Sequence, residues 1–252
     1  KLICKKMIPA VSKQGIAKFN DVFCEKGFFN ENQSIKILTV GKKYGLIPRI
    51  HADELSNSNG AKVANIAGAI SADHLMKVNE KGIEYLSKSD TICILLPGTT
   101  FYLGKKSYAP YKKLRDANIE IALATDFNPG SCYIKSIPFI ISLACFYLKM
   151  TIKEAIKSVT FNSAKSLMLD NEIGSLEENK KADIIIFDAL VNKELLYLSN
   201  KKAKLIYAGK LKKKKSCTQS QINQWLVNHA KNNKRVLRLK GGDISFFSRG
   251  SQ

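Results

Sequence analysis

Ionisable side chains suited to metal-assisted hydrolysis occur at three points of the 252-residue chain. His51 and Glu54 lie in a His-Ala-Asp-Glu segment, His74 follows Ser-Ala-Asp, and Asp126 begins an Asp-Phe-Asn-Pro-Gly segment. Imidazole and carboxylate groups bind divalent cations, a bound cation lowers the pKa of its water to about 7, and a nearby carboxylate can move the proton. Each residue alone is more often structural, as a strand-end His or a turn-forming Asp. Their joint placement favours a hydrolytic site.

The elements that must position these groups follow the pattern of βα units around a parallel sheet, because short β-branched runs alternate with polar helical stretches between residues 34 and 124. Pro48 weakens the prediction of the second strand, since proline cannot donate to a sheet ladder and is unusual inside a central strand. Chemistry in parallel α/β folds collects at the carboxyl ends of strands, so the polar groups that follow these strands are expected to cluster. The predicted strands are Asp21–Cys24, Leu46–His51, Ala69–Ala72, Thr91–Leu95 and Ile119–Ala124.

The second half of the chain carries further helix and strand signals. Thr151 and Glu154 match a capping box, and apolar residues then recur at helical spacing as far as Met168. Strands are predicted at 182–188 and 203–208, followed by a helix with Ile222, Trp225, Leu226 and His229 on one face, an extended stretch at 235–240 and a Gly-Gly turn.

Composition excludes several classes of protein. No apolar run reaches the roughly 20 residues of a membrane helix, and six scattered cysteines without a CxxC pair favour a reducing cytoplasm. The net charge of +20 raises nucleic acid as a partner, but only five of the 41 basic residues are Arg, which phosphate recognition usually recruits. We therefore expect solvated lysines and no nucleic-acid partner, with a non-catalytic basic protein as an open alternative.

The chain resembles the imidazolonepropionase family of the amidohydrolase superfamily over about residues 1–210. The His-Ala-Asp-Glu, Ser-Ala-Asp-His-Leu and Thr-Asp-x-Asn-Pro-Gly motifs together are specific to this one family. The matching segments are Met7–Pro9, Asp21–Glu25, His51–Leu55, Ser71–Leu75, Leu95–Gly98, Ala124–Gly130, Ile173–Glu177 and Lys181–Asp183.

This resemblance implies an α/β fold, a partial TIM-like (β/α)8 barrel of the amidohydrolase type with about strands four to eight. The implied domains are a partial barrel at 1–170, part of a small β addition at 171–210, and a lysine-rich linker with a short α+β tail at 211–252. An open sheet edge is expected where the first strands would pair.

The resemblance also implies roles for individual residues. His51 and Asp126 are expected to bind one metal ion, zinc or iron, while Glu54, His74 and Asp126 act in catalysis. The implied reaction is hydrolysis of the ring amide of 4-imidazolone-5-propanoate to N-formimidoyl-L-glutamate. The residues expected to bind this small-molecule substrate are Asn128, Gly130 and Ser131.

The chain departs from the family at its metal site. The family also uses a His-x-His pair on its first barrel strand, and no His precedes His51. Because open zinc sites normally use three protein ligands, we expect this chain to be inactive alone. A homodimer or a complementing N-terminal fragment is the expected partner.

The segment after residue 217 is similar to a fragment of uroporphyrinogen-III C-methyltransferase. In that family a Gly-Gly-Asp-Pro turn touches S-adenosylmethionine, and here Gly241, Gly242 and Asp243 occupy the turn, with Ile244 in place of Pro. An S-adenosylmethionine-dependent tetrapyrrole methyltransferase fragment is therefore the alternative function.

Overall fold

The computed structural model describes residues 1–175, 184–188, 191, 196, 203–209, 217–232 and 236–239. The chain divides into two compact units, residues 1–167 and 168–252. Among the described residues, no helix combines the length and apolar character needed to span a bilayer.

The first unit is built on a five-stranded sheet whose strands are all parallel and follow the chain order. All five predicted strands are therefore confirmed, and the arrangement is that of a partial TIM-like barrel. Within the described residues the first and last strands each pair with one neighbour only, as the expected open edge requires. The strands are β1 (Phe19–Cys24), β2 (Ile47–Ala52), β3 (Ser71–His74), β4 (Ile92–Leu95) and β5 (Ile121–Leu123).

Helices separate successive strands of this sheet, which gives the βα repeat expected from the alternating pattern. A short π-helical turn, Ile3–Met7, immediately precedes the helix Ile8–Gln14. A second π-helical turn, Ala144–Leu148, immediately follows the helix Ile137–Leu143. The helices are α1 (Ile8–Gln14), α2 (Glu31–Lys43), α3 (Gly60–Ala67), α4 (Glu80–Ser87), α5 (Pro97–Tyr102), α6 (Tyr111–Asp116), α7 (Ile137–Leu143), α8 (Ile152–Val159) and α9 (Phe161–Ser166).

The two faces of the sheet differ in chemistry because side chains alternate along each strand. Val22 of β1 and Ile50 of β2 are buried in the main apolar core. Asp21 and His51 belong to the other face of the same strands, and both are partly exposed. Asp21 and His51 thus occupy the face opposite the main core.

Pro48 lies inside β2, although proline is unusual in a central strand. Its carbonyl accepts a hydrogen bond from Ile70 N at 2.9 Å, while pairing of β2 with β3 starts only at Arg49 and Ser71. The missing N–H of Pro48 therefore falls at the beginning of that ladder.

The capping box at α8 is confirmed, since Thr151 accepts a hydrogen bond from Glu154 N and Glu154 accepts one from Thr151 N. The helical spacing continues to Met168, but the helix does not. Thr160 has φ −117° and ψ −89°, and it separates α8 from α9.

In the second unit, the strands β6 (Ile184–Phe187), β7 (Lys204–Tyr207) and β8 (Val236–Leu239) form a parallel sheet in the order β7-β6-β8. The helix α10 (Gln219–Lys231) buries Ile222 against this sheet. One sheet thus contains strands from the expected β addition and from the expected tail, and the division at residue 210 stays a prediction. Gly241, Gly242 and Asp243 lie outside the described residues.

Candidate active site

The carboxyl ends of β2 and β3 bring three of the expected site residues together. His51 lies in β2, Glu54 in the loop that follows it, and His74 ends β3. The rings of His51 and His74 are 5.3 Å apart between centroids, and His74 Nε2 lies 3.5 Å from Glu54 Oε2.

Asp126 follows β5 and joins this cluster electrostatically. Its charge influences the pKa values of His51, Glu54 and His74. Its Oδ2 accepts a hydrogen bond from the hydroxyl of Thr99, in α5. The sequence pattern did not identify Thr99 as a partner of Asp126, although Thr99 belongs to the Pro-Gly-Thr-Thr segment after β4.

Several residues at this edge have backbone conformations that side chains rarely adopt. The φ angles are +78° at His74, +51° at Asp126 and +50° at Asp53. Such conformations persist where surrounding contacts fix them, and they concentrate at functional sites.

Burial shifts the pKa values of Glu54 and His74 in opposite directions. Burial raises the pKa of Glu54, and the charge of Asp126 adds to the effect. Burial lowers the pKa of His74 to about 4, so this imidazole is neutral at pH 7. A carboxylate of raised pKa beside a neutral imidazole is suited to accept a proton and pass it on.

His51 has a partner that the sequence reasoning missed. Its Nδ1 lies 2.9 Å from Asp21 Oδ2, and about a third of each side chain is exposed. The hydrogen bond to Asp21 raises the pKa of His51 to about 9. In the sequence, Asp21 was the start of a predicted strand and of a segment that matches the family, with no role assigned to its side chain.

Asp73 is a second acidic neighbour of His51. Its Oδ2 pairs with Arg49 at 3.6 Å, its Oδ1 has no hydrogen-bond partner among the described residues, and burial raises its pKa to about 6. Asp21, His51 and Asp73 each offer a ligand atom within 4.8 Å of the others.

The loop that carries Glu54 is fixed by Glu25, at the end of β1. The Glu25 carboxylate is buried and accepts five hydrogen bonds, including Leu55 N at 2.9 Å and the Ser58 hydroxyl at 2.8 Å. Burial by itself would raise the pKa of Glu25, but these hydrogen bonds outweigh it and lower the pKa to about 2.

Asp53 fixes the same loop from its other side. It accepts hydrogen bonds from Ser58 N at 2.8 Å, Gly60 N at 3.1 Å and Ala61 N at 3.0 Å, the last two at the start of α3. Glu54 therefore lies beside two anchored carboxylates.

The expected substrate-binding residues form a closed turn. Asn128 Oδ1 accepts hydrogen bonds from the N–H groups of Gly130 and Ser131, each at 2.8 Å. Asn128 Nδ2 donates to Asp126 O and to Ser131 Oγ. In this structure the donors expected to bind substrate stabilise the turn itself, so their substrate role stays a prediction.

The residues at this edge fit a divalent metal ion. Imidazole nitrogen and carboxylate oxygen are ligands that zinc and iron accept. Asp73 Oδ1 and His74 Nδ1 are buried and accept or donate no hydrogen bond within the part of the chain that the structure describes, so they add unused polar atoms to the cluster.

Comparison with known proteins identifies a family. The model of the amidohydrolase family matches residues 40–215. The chain is 46% identical over 197 residues to an imidazolonepropionase of Geobacillus sp. (strain WCH70), covering 78% of this chain and 46% of that protein. It is 47% identical over 184 residues to an imidazolonepropionase of Fusobacterium nucleatum, covering 73% of this chain and 44% of that protein. The chain thus spans about half the length of these relatives.

Solved structures share the fold at low sequence identity. A zinc-bound adenosine deaminase from Xanthomonas campestris has a TM-score of 0.58 at 15% identity and covers 70% of this chain and 46% of that one. The ochratoxinase of A. niger has a TM-score of 0.56 at 22% identity, with the same coverage of 70% and 46%. These similarities show that the chain shares its fold with about half of each of these proteins.

Proposed function

We propose that this chain, which belongs to the amidohydrolase family, carries part of the active site of a metal-dependent hydrolase that opens the ring amide of 4-imidazolone-5-propanoate to give N-formimidoyl-L-glutamate. The substrate is inferred from the imidazolonepropionases that the chain resembles at 46% and 47% identity. The type of reaction is supported independently by the ionisable residues at the carboxyl edge of the sheet.

The observation that carries the proposal is the meeting of His51, Glu54 and His74 at that edge. The two imidazole rings are 5.3 Å apart, and Glu54 lies 3.5 Å from the second. Asp126 acts on all three through its charge. Ionisable groups that influence one another's pKa at the carboxyl edge of a parallel sheet support a hydrolytic site.

His51 and Asp126 would hold the metal ion, zinc or iron, which supplies an acidified water when bound. Glu54 would take the proton of that water, because its raised pKa makes it a better base than an exposed carboxylate. His74, neutral at pH 7, would pass the proton to the departing ring nitrogen. Asn128, Gly130 and Ser131 would hold the propionate if their turn opens towards the substrate.

We further propose a cytoplasmic location, which the six free thiols support because a reducing compartment keeps cysteines unpaired. The partner that fits the open sheet is either a second copy of the chain or a polypeptide supplying the preceding strands.

The test is hydrolysis of 4-imidazolone-5-propanoate, with metal content measured in parallel. The chain is assayed alone and after refolding with the amino-terminal half of the Geobacillus relative, and that half alone is the control. We expect turnover in the mixture and none in either half. Absence of turnover from a folded, metal-loaded mixture contradicts the proposal.

The alternative function gains no support from these findings. The family match ends at residue 215, before the methyltransferase-like tail. Saturable binding of labelled S-adenosylmethionine would be required to restore it.

A further inference from the structure

We propose that Asp21 is a positioning residue, which holds His51 by its Nδ1 so that Nε2 is the nitrogen presented to the metal. The inference deepens the proposed function and rests on it, because it concerns the orientation of a residue proposed as a metal ligand. It assigns a role to an acidic residue on a strand that contributes none of the expected ligands.

The contact between Asp21 and His51 joins neighbouring strands diagonally. The backbone register places Asp21 opposite Arg49 and Phe23 opposite His51. Asp21 nevertheless reaches past its own register partner, and its Oδ2 lies 2.9 Å from His51 Nδ1. A distance of this length is that of a charge-assisted hydrogen bond, in which Nδ1–H donates to the carboxylate.

The neighbouring Arg49–Asp73 ion pair leaves the Asp21 carboxylate available to bind His51. Arg49 faces Asp73 at 3.6 Å and also stacks over the ring of Phe19 at 5.3 Å. The guanidinium is therefore engaged by other groups, and the Asp21 carboxylate is directed to the imidazole.

A carboxylate on one imidazole nitrogen fixes which nitrogen can bind a metal. Metal-bound His residues usually donate their other ring N–H to such a group, which sets the tautomer and the ring orientation. Asp21 would perform this function for His51, whose remaining ring nitrogen is Nε2.

The competing interpretation is that Asp21 binds the metal directly. Asp21, His51 and Asp73 offer ligand atoms within 4.8 Å of one another, so the geometry allows a three-residue site. The two interpretations predict different effects when the Asp21 carboxylate is replaced by an amide. Asn can still accept the Nδ1 hydrogen bond, but it is a much weaker metal ligand than a carboxylate.

The experiment compares the full chain with Asp21→Asn, Asp21→Ala and the control variant Asp116→Ala, which removes an exposed carboxylate paired with Arg115. The first readout is the imidazole N–H signal of His51 in ¹⁵N-histidine-labelled protein without metal, which is tractable because the chain has three His. The second readout is the zinc dissociation constant from chelator competition, measured for each variant after refolding with the amino-terminal half of the Geobacillus relative.

We expect a slowly exchanging His51 Nδ1–H in the wild type, its loss in Asp21→Ala, and its retention in Asp21→Asn. Zinc affinity should fall about 10- to 100-fold in Asp21→Ala, as for other residues that orient a metal-bound His, and clearly less in Asp21→Asn. Asp116→Ala should match the wild type in both readouts.

Two outcomes overturn the inference. Equal loss of zinc affinity in Asp21→Asn and Asp21→Ala makes Asp21 a ligand, and an unchanged His51 signal in Asp21→Ala removes its orienting role. A wild-type chain that binds no zinc even when it is refolded with the amino-terminal half of the Geobacillus relative, but whose His51 signal depends on Asp21, contradicts the proposed function while supporting the orientation of His51.

Discussion

Glu54 and His74 are the residues whose chemistry depends most on burial. Burial raises the pKa of the first and lowers that of the second. Glu54→Gln removes the proposed base while keeping the size of the side chain. We expect turnover in the reconstituted mixture to fall by about 10²- to 10⁴-fold, the usual contribution of general acid–base catalysis, with zinc affinity within a few-fold of wild type.

The matched control for this prediction is Glu84→Gln, which changes an exposed carboxylate paired with Lys88. Turnover of this variant should equal that of the wild type. Full activity in Glu54→Gln would show that another group takes the proton.

Glu25 acts on stability, and its effect depends on pH. Its pKa in the folded protein is about 2, against an ordinary value of 4.5. A depressed pKa means that the carboxylate stabilises the fold above about pH 4.5 and that this contribution disappears as the pH falls towards 2. By linkage the contribution is on the order of 3 kcal/mol at pH 7.

We therefore expect Glu25→Gln to lower the free energy of unfolding by about 2–3 kcal/mol at pH 7, measured by urea denaturation. The difference from wild type should shrink below pH 4.5. Glu80→Gln, whose side chain is 75% exposed, should change stability by under about 0.5 kcal/mol. A Glu25→Gln effect that stays constant from pH 7 to pH 3 would refute the linkage.

Sequence reasoning located the candidate residues His51, Glu54, His74 and Asp126 because each follows or ends a strand with a recognisable pattern. It did not find that Asp21 contacts His51, because that contact depends on the register between two strands about thirty residues apart. It also did not predict that the turn from Asn128 to Ser131 satisfies its own donors, since this depends on side-chain rotamers.

At the scale of elements, the β-branched runs predicted all five strands of the first sheet, with ends that differ by at most two residues. The break between α8 and α9 was not predicted, because apolar spacing continues across it. At the break the Thr160 hydroxyl donates to Ile156 O at 2.7 Å, a local hydrogen bond that competes with helix continuation.

The close packing of α3 on β2 supports a prediction at Gly60. A Cβ at this position would lie 2.7 Å from both Cα and Cβ of Ala52, which follows His51 in the chain. Gly60→Ala must displace the helix or the strand, and we expect a loss of about 1–3 kcal/mol in the free energy of unfolding.

The steric cause can be isolated with Ala52→Gly. In the double variant with Gly60→Ala, the loss should be smaller than the sum of the single losses, because one of the clashing atoms is gone. Strictly additive losses would mean that the two positions do not collide.

For the whole molecule, the sequence indicated the class of fold and the open sheet but not how the later strands pair. β8 lies in the segment predicted to be a tail and pairs with β6 in the second unit, a long-range pairing that apolar patterning does not specify. Likewise, the net charge of +20 is a property of the whole chain and defines no site by itself.

Metal binding should appear as stability of the whole chain, because a ligand that binds only the folded state stabilises it by mass action. At zinc concentrations of about one hundred times the dissociation constant the gain is about 2.7 kcal/mol, which corresponds to a rise in Tm of about 5–10 °C for a chain of this size. Asp126→Asn should abolish the rise, since it replaces a proposed ligand. His229→Gln, which changes an imidazole of the second unit, should preserve it. A rise that survives Asp126→Asn but disappears in His229→Gln would move the zinc site to the second unit and out of the proposed active site.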